Sequence, residues 1–188
     1  IDKKPDQTPV SIADRDAERA MRQLISETYP DHGVLGEEHG TEGPEKEYVW
    51  VLDPIDGTVA YLAGKPQFGT LIALVHRSNP IIGIIDQPVL GERWLGAMGQ
   101  ITTFNGAEIT TRRCSELEKA TLNVTSPDMF EEQNSIKFSK LSKQVAITMY
   151  GGDCYAYGLL ASGHIDLIVE ADLKPYDFCA LIPIINGA

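Results

Sequence analysis

The stretch Val49-Trp50-Val51-Leu52-Asp53-Pro54-Ile55-Asp56-Gly57-Thr58 decides how the rest of the chain is read. Tyr48 to Leu52 is a continuous apolar run with Val and Trp, the pattern of a buried strand. Asp53 stands at its C-terminal end, where open α/β sheets place their sites. Pro54 cannot donate to a ladder, so the strand is expected to stop there. Asp56 supplies a second carboxylate close behind the first. Gly57 permits an unusual backbone angle or a close ligand approach. Thr58 adds a hydroxyl and an N–H at the start of a possible helix, where anions bind well. Asp, Pro and Gly also favour turns, but a turn needs neither both carboxylates nor the threonine. Two carboxylates so close are costly unless a cation sits between them. Mg²⁺ fits, because it takes oxygen ligands and bridges to phosphate oxygens.

Upstream, Ser11 has the look of an N-cap with Asp14 in the capping-box position. Ala17, Met21, Leu24, Ile25 and Thr28 follow at helical spacing, which predicts a helix over 12–28. Ile1 to Pro9 reads as loop. Val34 and Leu35 make a short apolar step into Gly36-Glu37-Glu38-His39-Gly40, and 41–47 read as a polar, mobile loop. Downstream, Phe68–Val75 and Ile81–Asp86 read as strands joined across Ser78-Asn79-Pro80, with Arg93–Ala97 a third. Asn105-Gly106 is a hairpin signal. Residues 128–140 give no assignment. Val145–Tyr150 reads as a strand, Cys154–Ala161 as a helix, Ile165–Glu170 as a strand, and Asp177 to Ile185 as a helix with Pro175 just before it. This order predicts a layered α/β architecture with a large mixed or antiparallel sheet, not a clean βαβ alternation.

Over 188 residues, 43% hydrophobic and 23% charged composition fits a globular chain of about one domain. A net charge of −11 argues against non-specific nucleic-acid binding. It would also repel a phosphorylated substrate unless cations intervene. No apolar run approaches the roughly 20 residues of a bilayer span. Three scattered cysteines, Cys114, Cys154 and Cys179, suggest a reducing compartment rather than a disulfide framework.

Other acids have bland readings beside chemical ones. Glu37-Glu38 fits a solvated acidic loop, Asp177 a helix cap, and Asp14 the capping box. No phosphate-binding glycine loop, nucleophile elbow, H-E-x-x-H or C-x-x-C pattern is present. His32, His39, His76 and His164 show no ligand spacing and read as surface or structural. Asn123-Val124-Thr125 matches a glycosylation sequon, a common chance match.

Gly36-Glu37-Glu38, Asp53-Pro54-Ile55-Asp56-Gly57-Thr58 and a late Asp177 before a small-residue helix together resemble the inositol monophosphatase family of metal-dependent phosphomonoesterases. Further segments are similar to its histidinol-phosphate phosphatase branch of bacteria and plants: Gly64-Lys65-Pro66 with Phe68–Leu74, Ile85-Asp86-Gln87-Pro88 with Gly91-Glu92-Arg93-Trp94, Gly152-Asp153-Cys154-Tyr155, and Leu173-Lys174-Pro175-Tyr176-Asp177-Phe178. The resemblance spans nearly all of 1–188, taken as one domain of an α-β-α-β-α sandwich. Since relatives carry further elements at each end, it implies a chain truncated on both sides.

The resemblance implies two to three Mg²⁺ per site, with Mn²⁺ a possible substitute. Glu37, Asp53 and the Ile55 carbonyl would hold one ion; Asp53, Asp56 and Asp177 a second; Glu37 would help a third. Asp14 and Thr58 match the water-activating pair, with Glu37 assisting. Gly57 and Thr58 N–H groups would bind phosphate oxygens, and Glu170 would contact the substrate's polar body. Lys3 or Lys4 would correspond to a lysine near the water. Asp153 either caps the helix starting at Cys154 or adds a carboxylate suited to a cationic substrate such as histidinol phosphate, an intermediate of histidine biosynthesis. The implied alternatives are inositol 1-phosphate or another small phosphate ester, and a catalytically silent module of the same fold. The partners implied are a small phosphate ester and a second copy in a homodimer, with no nucleic acid and no membrane. The expected location is cytoplasmic, or the plastid stroma for a plant protein.

Overall fold

In the computed structural model, which describes residues 2–3 and 9–188, helix α1 (Ile12–Thr28) begins where the sequence places it. Ser11 Oγ accepts from the Ala13 and Asp14 N–H groups at 3.1 and 3.3 Å. The Ser11 N–H donates to Asp14 Oδ2 at 2.8 Å, closing a reciprocal capping box. Before it, β1 (Asp2–Lys3) pairs antiparallel with β2 (Pro9–Val10), so the segment read as a loop contains a short ladder. The side chains of Lys3 and Lys4 lie outside the described residues.

The main sheet is built from β3 (Gly33–Gly36), β4 (Gly40–Glu42), β5 (Tyr48–Asp56), β6 (Gly69–His76), β7 (Asn79–Gln87), β8 (Glu92–Ala97), β9 (Thr103–Phe104) and β10 (Ala107–Glu108). Their spatial order is β10-β9-β8-β7-β6-β5-β3-β4. β3 and β5 run parallel and the other pairs antiparallel.

The structure departs from the sequence pattern at three places in this sheet. β5 does not end at Pro54 but runs on to Asp56. Its register against β6 shifts between Asp53 and Asp56, so Pro54 falls in an irregularity where no ladder donor is required. The β6–β7 hairpin turns at Arg77 and Ser78, with φ of 46° and 70°, rather than across Ser78-Asn79-Pro80. Positive φ at both central residues matches the twist of the flanking strands, as it does at Asn105 and Gly106 between β9 and β10. Within the polar 41–47 stretch, Thr41 and Glu42 belong to edge strand β4.

Beyond β5 a short helix α2 (Thr58–Leu62) leads into β6. A second, parallel sheet has the order β12-β11-β13, from β11 (Thr121–Val124), β12 (Ile147–Tyr150) and β13 (Leu167–Ile168). The stretch 128–140 resolves into a 3₁₀ turn at Pro127–Met129 and helix α3 (Glu132–Ser142). Helices α4 (Asp153–Ala161), α5 (Pro175–Phe178) and α6 (Leu181–Gly187) complete the chain. The single helix expected from Asp177 to Ile185 is thus two. Pro183 explains the break: in a continuous helix it would leave a carbonyl of the preceding turn unbonded, whereas in α6 it sits in the first turn, where no N–H is needed.

Alternation along β5 sets the layers. Leu52 packs with Ile25 and Val34 beneath α1, while Val51 faces the opposite side with Leu71, Ala73, Ile85, Trp94 and residues of α4 and α6. At Gly83 and Gly96 the α6 backbone rests on the sheet: added Cβ atoms would stand 1.9 Å from the Ala180 carbonyl oxygen and 2.4 Å from the Ile184 nitrogen. Past α4 the parallel sheet buries Leu122 and Val124 against Phe130 and Phe138 of the α3 side. The result is the expected α-β-α-β-α succession. No described helix is long and apolar enough to cross a membrane.

Candidate active site

The site forms where β3 and β5 end side by side. Their register pairs Gly36 with Leu52, and the Glu37 N–H donates to the Leu52 carbonyl at 3.2 Å. Glu37 therefore leaves β3 beside Asp53, which is 2% exposed. The bulge in β5 turns Asp56 toward the same point, and α5 brings Asp177 from the far end of the sequence. Carboxylate oxygens of Asp53, Asp56 and Asp177 lie within 4.8 Å of one another.

The electrostatics are those of an acid cluster in want of a cation. Burial, followed by the charges of Asp56, Glu37 and Asp177, pushes the Asp53 carboxyl well above the ordinary range. Asp56 is raised to about 8, first by burial and then by Asp153, against the opposing hydrogen bond from Cys154. Burial lifts Asp177 to about 6, although the Lys174 N–H donates to its Oδ2 at 2.6 Å. The helix-cap reading of Asp177 is therefore correct and compatible with its place in the cluster. Asp53 Oδ1 is buried with no hydrogen-bond partner among the described residues. An orphaned carboxylate oxygen among three more acids fits a hard divalent cation such as Mg²⁺ or Mn²⁺, whose ligands are oxygens.

Asp14, fully buried, serves two elements with two oxygens. Its Oδ2 closes the capping box, while Oδ1 faces the Thr58 hydroxyl at 3.4 Å. Thr58 Oγ1 also lies 3.1 Å from the Ile55 carbonyl oxygen, so one hydroxyl proton chooses between two acceptors. Gly57 adopts φ 86°, a conformation glycine takes at no steric cost. A Cβ there would stand 3.0 Å from Asp153 Oδ2, which places Asp153 over the start of α2.

Asp153 does not cap α4. The N-cap is Gly152 and no side chain bonds there. Asp56 Oδ2 instead accepts the Cys154 N–H. Asp153 follows Gly151 and Gly152 in the left-handed region, with φ of 43° after 81° and 109°, a costly conformation for a residue with a Cβ. Burial and the neighbouring Glu170 raise its carboxyl to about 6, against Lys65. Glu170 is held at both oxygens, Oε2 by the Tyr157 hydroxyl at 2.7 Å and Oε1 by the Thr125 hydroxyl. A cleft of about 160 Å³ is lined by Asp56, Asp153, Glu170 and Asp177 with the apolar Met129 and Leu173.

The ten sequence-predicted positions thus fall into one region: the acid cluster, the Asp14–Thr58 pair with Ile55, and the Gly57–Asp153–Glu170 rim. Sequence reasoning missed Thr125, Tyr157 and Glu18. Asn123, the sequon residue, is buried and donates to the Gly151 carbonyl at 2.8 Å, so it offers no glycan acceptor. His32 is structural, stacked between Tyr29 and Tyr48 and accepting from Trp50 Nε1 at 3.0 Å.

The chain is 52% identical over 187 residues to the bifunctional phosphatase IMPL2, chloroplastic, of Arabidopsis thaliana, covering 98% of this chain and 54% of that protein. It is 36% identical over 199 residues to the histidinol-phosphatase of Streptomyces coelicolor, covering 100% of this chain and 74% of that protein. The chain therefore spans about half to three quarters of the length of these relatives. The solved structure of an inositol monophosphatase from Zymomonas mobilis superposes with a TM-score of 0.90 at 49% identity, over 100% of this chain and 72% of that one. The family model for the inositol monophosphatase family matches residues 1–188, and it is to this family that the chain belongs.

Proposed function

We propose that this chain carries the catalytic centre of a Mg²⁺-dependent phosphomonoesterase that cleaves histidinol phosphate to histidinol and phosphate. The observation that carries the reading is the convergence of Asp53, Asp56 and Asp177, with a buried Asp53 oxygen left without a partner, beside a small acid-lined cleft. Glu37, Asp53 and the Ile55 carbonyl would hold one ion, and Asp53, Asp56 and Asp177 a second, with Glu37 assisting a third. Bound there, Mg²⁺ supplies positive charge for phosphoryl oxygens and makes water a better nucleophile near neutral pH.

The chain's own groups do the rest. Thr58 Oγ1 holds the attacking water in line with phosphorus. Its hydroxyl proton turns toward Asp14 Oδ1, which leaves an Oγ1 lone pair to accept from that water. The N–H groups of Gly57 and Thr58 receive phosphate oxygens. Asp153 and Glu170, which the metal set does not require, offer negative charge to the body of the substrate. Histidinol phosphate bears an amine and an imidazole, whereas inositol phosphate bears neutral hydroxyls. The name of the Streptomyces relative supports this choice.

Three expected results test it in the whole protein. On a panel of small phosphate esters, histidinol phosphate is cleaved with a kcat/KM well above that for inositol 1-phosphate. Asp153→Asn lowers it by about 10-fold or more for histidinol phosphate and leaves inositol 1-phosphate nearly unchanged. Equal rates on both esters refute the substrate, and no Mg²⁺-dependent release from any ester would leave only a silent module. Thr58→Val, which keeps shape and removes the hydroxyl, should cut kcat by about 10²-fold with little change in KM. A variant with normal kcat would remove Thr58 from the chemistry.

A further inference from the structure

Glu18 lies on α1 with its side chain fully buried, one turn beyond Asp14. It is not spent on its own helix alone. Oε2 accepts the Glu38 N–H at 2.7 Å and Oε1 the His39 N–H at 3.2 Å. Oε1 also accepts from Arg22 Nε at 2.7 Å. Arg22 in turn donates to the Gly40 carbonyl, and His39 Nε2 sits 3.0 Å from the Arg15 carbonyl oxygen. Every residue from Glu38 to Gly40 is thus tied to α1 through Glu18 and its neighbours. Gly36 shows how close the approach is: a Cβ there would stand 1.9 Å from Glu18 Oε1. Glu37 lies between Gly36 and Glu38, and its backbone is clamped on one side by β5 and on the other by this carboxylate.

We infer that Glu18 is a positioning residue that fixes the 36–40 loop so that Glu37 presents its carboxylate to the divalent cation. The inference rests on the reading of Glu37 as a metal ligand. Burying a charged carboxylate is costly unless it is paired and hydrogen-bonded, and here the pairing is directed at the backbone of the loop that bears a ligand. Partners behind metal ligands commonly change affinity by 10–100-fold when removed.

The test is a double-mutant cycle read by calorimetric titration of the whole protein with Mn²⁺, without substrate. Glu37→Gln should weaken binding, and Glu18→Gln should weaken it by about 10–100-fold. In the combined variant Glu18→Gln should add less than about twofold to the loss from Glu37→Gln, because both remove the same interaction. Should Glu18→Gln fail to fold, Gly36→Ala takes its place in the cycle, since its Cβ displaces the same carboxylate from the loop side. If Glu37→Gln weakens binding while Glu18→Gln does not, or if the two losses multiply, Glu18 does not act through Glu37 and the inference fails alone. If Glu37→Gln leaves the affinity unchanged, the ligand reading fails and this inference with it.

Discussion

Asp53→Asn is expected to reduce Mg²⁺-dependent phosphate release by about 10³-fold or more, since a metal contributes several kcal/mol of charge stabilisation and each 1.36 kcal/mol is a factor of ten in rate. Asp53 is the acid on which the others centre. It stands near the C-terminal end of β5, is 2% exposed, and is raised first by that burial and then by the charges of Asp56, Glu37 and Asp177. An amide keeps the shape but removes the charge that both ions would share. The same substitution has an opposite effect on the metal-free protein. A neutral Asn relieves the repulsion that the cluster stores, so the metal-free melting temperature at pH 8 should rise above wild type. The increase produced by added Mg²⁺ should shrink. Near-normal turnover in this variant, or an unchanged Mg²⁺-induced shift, would refute the placement of the cations around Asp53.

What the sequence made legible was local. Ser11 and Asp14 lie within one turn, so their capping box is readable from spacing, and Asn105-Gly106 announces its own turn. Of the acid set, Asp53 and Asp56 were readable as a carboxylate pair from their spacing, whereas Glu37 and Asp177 entered it only through the family resemblance, because no local pattern says that residues so distant in sequence meet. Pro54 misled because a proline without an N–H ordinarily closes a strand, yet the bulge between Asp53 and Asp56 removes the need for that donor. That bulge also aims both carboxylates at one point, which period-2 alternation would not do for residues three apart. Glu18 was invisible because a buried carboxylate on a helix reads as a polar-face residue until the loop 20 residues onward folds against it. Tyr157 and Thr125 escaped for the same reason. Each touches Glu170 across a separation that no spacing rule covers, 13 residues in one case and 45 in the other.

The metal-free protein should lose thermal stability as pH rises from about 5 to 9, by roughly 5 °C or more. In the unfolded chain these aspartates titrate near 3.9. In the folded state Asp153 and Asp177 are raised to about 6 and Asp56 to about 8, and burial pushes Asp53 well above the ordinary carboxylate range. Between those limits the folded state binds more protons than the unfolded one, so each step upward in pH favours unfolding. The stability these groups contribute is complete below about pH 4 and is lost as pH passes through their folded values. Asp166, paired with Arg112, and Glu47, beside His76 and Arg77, are shifted the opposite way. Their contribution is present above about pH 4 and lost below it, which places the metal-free optimum at about pH 4 or lower. Mg²⁺ competes with protons for the same oxygens, so the stabilisation from a fixed Mg²⁺ concentration should grow between pH 5 and pH 8. Differential scanning at several pH values, with chelator and with Mg²⁺, measures both slopes. A metal-free melting temperature flat across this range would mean that the four carboxyls are solvated and apart, and the acid cluster would lose its claim to a cation. In Asp56→Asn the decline should lessen across pH 5 to 8, because Asp56 keeps its folded-state proton over that interval while the unfolded chain has lost it.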